Sequence, residues 1–215
     1  MNTLLEKAVK LLKGQNFEYA ICGGFAIDLF LGYESRKHGD IDILAYWKDR
    51  NSIILYMQSM GYKVYEMLGG GLAHHITDIN VQEYKKRNIF CVTNDCELVK
   101  ITPTDETEIN SIEFFHIGQT KLNFVEILFN NKDETDFLYA RNTEVKRKLS
   151  KAILHNNDIP YLAPELLLLY KSTDTEREGY QQDFDLAFCR MNEEQKDWLN
   201  NSLKIMYPDG HKWLL

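Results

Sequence analysis

The sequence predicts an α+β fold, with a mixed, twisted sheet and flanking helices followed by a C-terminal helical bundle. Three observations predict it. Helical and strand-like patterns alternate over the first 67 residues, strand patterns follow one another from about residue 89 to 129, and helical patterns occupy the chain after residue 164. We therefore expect an α+β domain over residues 1–155 and a helical domain over residues 156–215.

Apolar spacing defines the elements of the α+β part. Leucines at helical intervals predict the first helix, and Gly14 ends it. Asp49 is suited to cap the third helix. The predicted helices cover residues 1–13, 25–31 and 49–60, and the predicted strands cover residues 19–22, 40–46, 62–67, 89–93, 98–101, 112–117 and 122–129. Residues 69–78, rich in glycine and histidine, are predicted to form a loop.

The remaining elements are mostly helical. A helix is predicted over residues 139–149, and the two prolines within residues 159–164 predict a rigid connector. Three further helices are predicted over residues 165–173, 178–191 and 193–206. Neither internal repeats nor low-complexity segments interrupt this order.

Composition narrows the class of protein. The 215 residues carry a net charge of −7 with acids and bases spread along the chain, which argues against broad binding to nucleic acid. The four cysteines lack paired metal-binding spacing. Because no apolar run is long enough to cross a bilayer and the first residues form a polar amphipathic helix, we expect a cytoplasmic protein without a membrane contact. A homodimer is compatible with these features.

A glycine pair, Gly23-Gly24, stands where a buried strand turns into an apolar helix. Glycine lets a backbone approach a ligand closely, and the helix N-terminus offers free N–H groups to an anion. The pair lacks the third glycine of a dinucleotide fingerprint and the lysine of a P-loop. A tight turn without a ligand is the alternative interpretation.

Two carboxylates, Asp40 and Asp42, alternate with two isoleucines on the predicted strand over residues 40–46. Alternation places both acids on one side, roughly 7 Å apart. Acids at the start of a buried strand are costly unless they are paired or bind a metal. We therefore predict that they bind Mg²⁺ for chemistry on a nucleoside triphosphate; a solvated edge strand is the alternative.

A third acid is expected because two-metal sites usually need one more carboxylate. Glu126 is the best candidate, since it shares a strand face with large apolar side chains. It would act catalytically or as a metal ligand; the alternative is a rim acid paired with a lysine. Asp78 and Asp95 are weaker candidates because each lies in a polar, loop-like context.

Four more side chains are candidates for binding. Arg36 could hold a phosphate in its fork or could be an exposed loop base. Lys171 could reach into a cleft between the two predicted halves or only extend to solvent. Asp183 could pair with Lys171 or face a cationic substrate. His75 could line a substrate pocket, although a doubled histidine in a loop often has no such role.

The pattern Gly23-Gly24, a spacer, then Asp40-Ile41-Asp42 resembles the nucleotidyltransferase superfamily related to DNA polymerase β. The segment from Arg36 to Ile43 is similar to the narrower family of aminoglycoside 2''-adenylyltransferases and their lincosamide-modifying relatives. Further similarity to that family lies in residues 88–91, 159–165, 169–171, 183–185 and 198–214. The resemblance runs from about residue 16 to the C-terminus.

The resemblance implies a polymerase β-like nucleotidyltransferase core followed by a helical bundle. It also implies transfer of a nucleoside monophosphate, usually AMP from ATP, to a hydroxyl of a small acceptor such as an aminoglycoside or lincosamide antibiotic. Asp40 and Asp42 would hold Mg²⁺, Glu126 would be the third acid, and Lys171 would approach the triphosphate. Gly24 stands where many superfamily members have serine, so a hydroxyl contact to phosphate is missing.

Two rival functions fit the same pattern. One is a toxin-like nucleotidyltransferase that modifies tRNA or a protein; the acidic balance of the chain argues against the RNA substrate. The other is a nucleotide-binding regulator without turnover, against which the intact acid set speaks. The acceptor itself is not identified by any motif.

Overall fold

The computed structural model describes residues 3–80, 87–115 and 118–214. The chain divides into two compact units that are interleaved in sequence. The first unit comprises Met1–Tyr19 and Lys37–Phe129, and the second comprises Ala20–Arg36 and Asn130–Leu215. The predicted boundary at residue 155 is a different division of the chain, and it stays a prediction.

The helices are α1 (Thr3–Leu12), α2 (Gly23–Leu31), α3 (Arg50–Ser59), α4 (Leu149–Ala152), α5 (Pro164–Lys171), α6 (Tyr180–Arg190) and α7 (Glu193–Met206). The strands are β1 (Tyr19–Cys22), β2 (Asp42–Tyr46), β3 (Lys63–Gly69), β4 (Leu72–His75), β5 (Ile89–Val92), β6 (Val99–Pro103), β7 (Ile109–Phe114), β8 (Phe124–Lys132), β9 (Asp136–Leu138), β10 (Lys146–Lys148), β11 (Ile153–Asn156) and β12 (Ile159–Leu162). The α+β fold class predicted from the sequence is confirmed, including the C-terminal helices.

The first unit is built on a sheet with strand order β2-β8-β5-β3-β4-β7-β6. β5 runs antiparallel to both β3 and β8, and its register with β8 places Phe90 opposite Glu126. β4 and β7 continue the antiparallel pattern to the edge strand β6. This order places β8, which carries Glu126, beside β2, which begins at Asp42.

Aromatic packing fixes the middle of this sheet. Phe90 packs edge-to-face on Phe114 at 5.3 Å and lies 5.0 Å from Phe124. Phe90 and Phe124 are nearly fully buried, together with Tyr65 and Val92. Burial of large aromatic side chains and their edge contacts stabilises the pairing of β5 with its neighbours. The strand that faces Glu126 is therefore held rigidly.

The second unit contains a small mixed sheet and helices α2, α5, α6 and α7. β11 and β12 form an antiparallel hairpin, while β1 runs parallel to β12 with Ile21 opposite Tyr161. β9 pairs antiparallel with β10 and with the end of β8. Helix α5 is buried along nearly its whole length and contacts α2, α6 and α7, so it is the central helix of this unit.

A buried ion-pair network ties β10 to α5 and α7. Arg147 is 5% exposed, and its Nε donates to Oε1 of Glu165 at 3.0 Å. Its Nη1 donates to Glu194 at 2.6 Å. Gln195 Nε2 donates to the other oxygen of Glu165 at 2.9 Å. Because Glu165 is fully buried, its charge depends on these donors.

The predicted helix over residues 139–149 is wrong. Tyr139 donates its N–H to the carbonyl of Val145 at 3.0 Å, and the Asn142 side chain accepts the N–H of Glu144 at 3.0 Å. This side-chain turn competes with helix formation. Residues 139–145 are the loop of the β9–β10 hairpin.

Two other predicted elements differ for reasons of turn chemistry. The connector predicted over residues 159–164 is β12 followed by Pro164 at the first turn of α5, a favoured position for proline. Asn157 and Asp158 both have positive φ, which is the two-residue hairpin turn that twisted strands prefer. Within the predicted loop over residues 69–78, three glycines with positive φ make a turn that returns the chain as β4.

Boundaries elsewhere shift by a few residues. The strand predicted over residues 112–117 is β7, and its last two predicted residues lie outside the described part of the chain. Asp49 precedes α3 but makes no side-chain cap; its carboxylate accepts the N–H of Glu18 at 3.4 Å instead. Among the described residues, no helix is both long and apolar enough to cross a membrane.

Replacement of Arg147 by Met should destabilise the protein by about 3 kcal/mol, because it leaves the buried carboxylate of Glu165 without its guanidinium partner. Urea denaturation measures this loss. The control is Lys148→Met on the adjacent exposed position, which pairs with Asp136 at 3.0 Å and should cost less than about 1 kcal/mol. Adding Glu165→Gln to Arg147→Met should recover part of the loss. Equal stability of the two single variants would contradict the buried-pair interpretation.

Because of Glu194, the free energy of unfolding should decrease as the pH falls below about 4.5. Hydrogen bonds from Arg147 and then Lys151 lower the pKa of Glu194 from its ordinary value of 4.5 to about 2. A carboxyl with a lowered folded-state pKa stabilises the protein above pH 4.5 and loses that effect as the pH falls toward 2. Since Glu194 is half exposed, we expect less than about 1 kcal/mol.

The measurement is urea denaturation at several pH values for Glu194→Gln and for the neighbouring control Glu193→Gln. The first variant should show a shallower fall in stability between pH 4.5 and 2, and the control should match the wild type. An unchanged slope in Glu194→Gln would show that the network does not depend on this carboxylate.

Candidate functional site

The glycine turn joins β1 directly to α2 in the second unit. Gly23 is the first residue of α2 and has φ +63°, a conformation that side-chain-bearing residues rarely adopt. Cys22 precedes the helix with extended backbone and provides no side-chain cap. Gly23 and Gly24 are both partly exposed. The turn therefore presents backbone N–H groups and the positive end of a nine-residue helix.

The acid pair lies in the first unit, at the start of β2. Ile41 and Ile43 are 0% and 1% exposed, whereas Asp40 is exposed and Asp42 is partly exposed. The alternation of buried and exposed positions is as predicted, although the strand begins at Asp42 rather than at Asp40. The isoleucines anchor this segment in the core and leave the acids at its accessible side.

Glu126 lies beside this pair. Its backbone N–H donates to the carbonyl of Ile41 at 3.1 Å, so β8 places Glu126 next to the residue between the two aspartates. Its side chain is partly exposed. Within the first unit the fold thus brings the backbone of Glu126 next to the segment that carries Asp40 and Asp42.

The donor chemistry of this neighbourhood fits Mg²⁺, a hard cation that prefers carboxylate oxygens. Across residues 3–80, 87–115 and 118–214, no group of three or more His, Cys, Asp or Glu side chains is arranged to hold a metal ion. Mg²⁺ usually takes one or two carboxylates and completes its shell with substrate phosphates and water. Asp40 and Asp42 can supply that smaller set, and Glu126 as a third ligand stays a prediction.

Arg36 and Lys171 converge on Asp183 in the second unit. The guanidinium of Arg36 makes two bonds to the carboxylate, from Nε to Oδ1 and from Nη2 to Oδ2, both at 3.1 Å. Nζ of Lys171 lies 2.9 Å from Oδ2 and 3.9 Å from the centre of the Tyr180 ring. Asp183 is fully buried and Lys171 is 5% exposed.

This cluster changes the interpretation of Asp183. With its side chain enclosed and both oxygens bound by cations, Asp183 orients Arg36 and Lys171 in this conformation, and it does not present a surface to a cationic substrate. The sequence left both interpretations open; pairing with Lys171 is the one that the contacts display.

His75 lies in the first unit on β4, not in a loop. Its ring stacks on Tyr65 at 4.8 Å, and its backbone N–H donates to the carbonyl of Glu108 at 2.8 Å. Burial lowers the pKa of His75, and the positive charge of Lys63 lowers it further. A neutral, stacked imidazole packs well in a sheet. Its role as a substrate contact stays a prediction.

Three residues of the second unit were missed from the sequence. Oδ1 of Asp28 accepts the N–H of Ser35 at 2.9 Å and its hydroxyl at 2.6 Å, which fixes the loop that ends at Arg36. An aspartate inside the otherwise apolar helix α2 was the signal for it. Tyr180 and Gly179 support Lys171 and Arg36, and no short-range pattern marks them.

Gly179→Ala should disturb the cluster. At Gly179, which has φ +82°, an added Cβ would lie 3.1 Å from Cζ of Arg36. Gly32 has the same φ and open space around its Cβ direction, so Gly32→Ala is a control for backbone strain alone. We expect Gly32→Ala to cost about 1 kcal/mol and Gly179→Ala to cost at least about 1 kcal/mol more in urea denaturation. Equal losses of stability in the two variants would show that the Arg36 side chain moves aside at little energetic cost.

The profile of the family described as "Aminoglycoside-2''-adenylyltransferase" matches residues 4–69. This segment contains both the glycine turn and the acid pair. No significant match to the chain exists among curated proteins.

Solved structures with the same fold extend over most of the chain. The lincosamide antibiotic adenylyltransferase LnuA, crystallised with lincomycin bound, matches with a TM-score of 0.53 at 16% identity, covering 89% of this chain and 98% of LnuA. ANT(2'')-Ia, crystallised in complex with adenylyl-2''-tobramycin, matches with a TM-score of 0.56 at 14% identity, covering 95% and 97%. The solution structure of ANT(2'')-Ia gives 0.54 at 15% identity, covering 97% and 96%.

The matched family and these structural neighbours are adenylyltransferases. At such identities the structures establish the fold, and the profile match shows similarity to the family over residues 4–69, the segment with the glycine turn and the acids. The resemblance predicted from the sequence is therefore confirmed, as similarity to the aminoglycoside 2''-adenylyltransferase family over that segment and as the fold of LnuA and ANT(2'')-Ia over most of the chain.

Proposed function

We propose that this protein is a Mg²⁺-dependent nucleotidyltransferase that transfers AMP from ATP to a hydroxyl of a small molecule, such as an aminoglycoside or lincosamide antibiotic. The observation that carries the proposal is the placement of Glu126 beside the Asp40-Ile41-Asp42 segment. Two carboxylates at the start of β2 and a third on the neighbouring strand β8, in a chain whose family match includes the glycine turn, suit chemistry on a nucleoside triphosphate.

Asp40 and Asp42 would hold the metal. Both carboxylates stand at the accessible side of a segment anchored by buried isoleucines, so they can bind a cation without disrupting the core. A Mg²⁺ ion held by these two carboxylates would supply charge neutralisation for the phosphates. The chain's own contribution is to fix the two carboxylates relative to β8.

The phosphates would be bound by Gly23, Gly24, Arg36 and Lys171. The glycine turn offers backbone N–H groups. Arg36 and Lys171 are held in place by Asp183, and such preorganised cations stabilise charge that develops as the pyrophosphate leaves. Asp183 then acts as a positioning residue that keeps both cations oriented.

Glu126 would serve the acceptor. In the reaction the acceptor hydroxyl oxygen forms a bond to the α-phosphorus, the bond between the α-phosphorus and the bridging oxygen breaks, and pyrophosphate departs. The hydroxyl proton must go to a base within hydrogen-bond reach, and Glu126 is the acid placed next to the pair. Completing the metal's ligand set is the alternative role for this carboxylate.

Replacement of Asp40 or Asp42 by Asn should abolish turnover, by at least about 10³-fold, because the charge that would bind the metal is removed. Stability should stay within about 1 kcal/mol of the wild type, since neither side chain is buried in the core. The measurement is pyrophosphate release together with urea denaturation. Asp105→Asn, an exposed acid of the β6–β7 connection, is the control and should keep full activity. Wild-type rates in Asp40→Asn would overturn the metal assignment.

A pyrophosphate-release screen tests the function itself. ATP and GTP are each offered with aminoglycosides, lincosamides and total cell RNA, with and without Mg²⁺. We expect release only with a small acceptor, with Mg²⁺ and preferentially with ATP. Release that requires RNA would favour a toxin-like enzyme. Tight binding of ATP and Mg²⁺ without release from any acceptor would favour a regulator.

A further inference from the structure

A cavity of about 310 Å³ lies in the first unit, where β5 ends and β8 begins. Residues 95–98 of the β5–β6 connection line one side, and residues 118–121 with Asn123 line the other. A volume of this size is at the lower end of the range for small-molecule sites. We call it the Asp95 cavity.

The walls of the Asp95 cavity are preformed by side-chain bonds to the backbone. Oε1 of Gln119 accepts the N–H groups of Asn123 at 3.1 Å and Phe124 at 3.0 Å, and its Nε2 donates to the carbonyl of Phe124 at 3.0 Å. Nδ2 of Asn123 donates to the carbonyl of Asp95 at 3.2 Å, which links the two sides. A site with fixed walls binds a ligand without a large ordering cost.

The charges of the lining favour a cation. Asp95 receives the hydroxyl of Thr93 at 2.7 Å and Nζ of Lys121 at 3.3 Å. Glu97 is exposed and makes no hydrogen bond or ion pair with any described residue. Among the described residues of the lining, Lys121 is the one base beside two acids, so Glu97 keeps a carboxylate available for an ammonium group.

The cavity adjoins the acids of the candidate active site. The N–H of Gln119 donates to the carbonyl of Gly39 at 3.2 Å, and Gly39 directly precedes Asp40. Asn123 lies three residues before Glu126, which corresponds to roughly 10 Å along an extended chain. A molecule of the size of an amino sugar could therefore occupy the cavity and direct a hydroxyl toward the acids.

We propose that the Asp95 cavity is the recognition site for the acceptor and binds an ammonium group of that acceptor through Glu97. The inference rests on the proposed function, because it supplies the acceptor site for the same reaction. It adds the position of the acceptor's amine, which lies at Glu97 on the cavity lining and apart from the reacting hydroxyl.

The test compares Glu97→Gln with the wild type, using tobramycin and lincomycin as probes. Steady-state kinetics should show a KM for the acceptor raised about fivefold or more, with the KM for ATP and kcat nearly unchanged. Binding of the probe measured by calorimetry without nucleotide should weaken similarly. Wild-type binding should also weaken between 50 mM and 500 mM salt more than that of the variant, since an exposed ion pair is screened.

Two further variants sharpen the test. Thr120→Trp should fill the cavity and weaken binding of the probe regardless of salt. Among the described residues, the one hydrogen bond of Thr120 is made by its main-chain carbonyl, which accepts Nζ of Lys7 at 3.2 Å. Glu106→Gln changes the same charge on the β6–β7 connection outside the cavity, and it should behave as wild type.

The outcomes separate the two proposals. If the wild type transfers AMP to a probe but Glu97→Gln and Thr120→Trp both keep its KM for that probe, the cavity assignment is overturned while the proposed function survives. If the wild type transfers nothing to either probe, the proposed function fails for these acceptors. Calorimetry then tests the assignment of the Asp95 cavity. Binding of the probe to the wild type that is lost in both variants supports the assignment. Binding that is absent from the wild type, or unchanged in the variants, overturns it.

Discussion

Buried carboxylates held by cationic side chains are the interaction on which this structure depends. Glu66, Glu165 and Asp183 are each fully buried, and each pairs with an arginine. Arg50 donates to Glu66 at 2.7 Å, Arg147 binds Glu165, and Arg36 forms a fork on Asp183. A buried charge of this kind is tolerable only with well-placed donors. Each pair therefore fixes the mutual position of the elements that carry it.

These buried ion pairs also distinguish the carboxylates that have a structural role from those that are accessible to a ligand. In the second unit, Asp183 uses its charge to orient Arg36 and Lys171, and these are the cations proposed to meet phosphates. In the first unit, Asp40 stays exposed next to a buried isoleucine. The same residue type thus serves as a structural partner in one place and as an accessible donor in another. Burial, and not residue identity, separates the two roles.

Much of the fold could be predicted from the sequence. The elements that were predicted wrongly differ because of local turn residues. Strong apolar periodicity defined α7, which matches its predicted bounds of residues 193–206. The β9–β10 hairpin was missed because its turn is stabilised by the Asn142 side chain, and the β11–β12 hairpin because Asn157 and Asp158 adopt positive φ. In the β9–β10 hairpin the turn residues outweighed the helix propensity of the surrounding sequence, and in the β11–β12 hairpin they outweighed the pattern of prolines.

In the candidate site, too, the sequence predicted the features that depend on local spacing and missed those that depend on distant contacts. Local patterns identified the glycine turn and the acid pair, because their spacing reports on one strand and one helix. The neighbourhood of Glu126 depends on pairing between strands more than 80 residues apart in sequence, and no local pattern encodes that contact. The roles of Gly179 and Tyr180 are equally nonlocal, since both are defined by side chains that arrive from distant positions.

The close approach of Gly179 to Arg36 has an evolutionary consequence. A larger residue at position 179 must push the guanidinium aside, and at φ +82° it is strained even where there is space. Substitutions at positions 36, 179 and 183 should therefore be coupled in descendants of this sequence. A lineage that loses the arginine removes only the steric constraint, and the backbone conformation continues to favour glycine at this position.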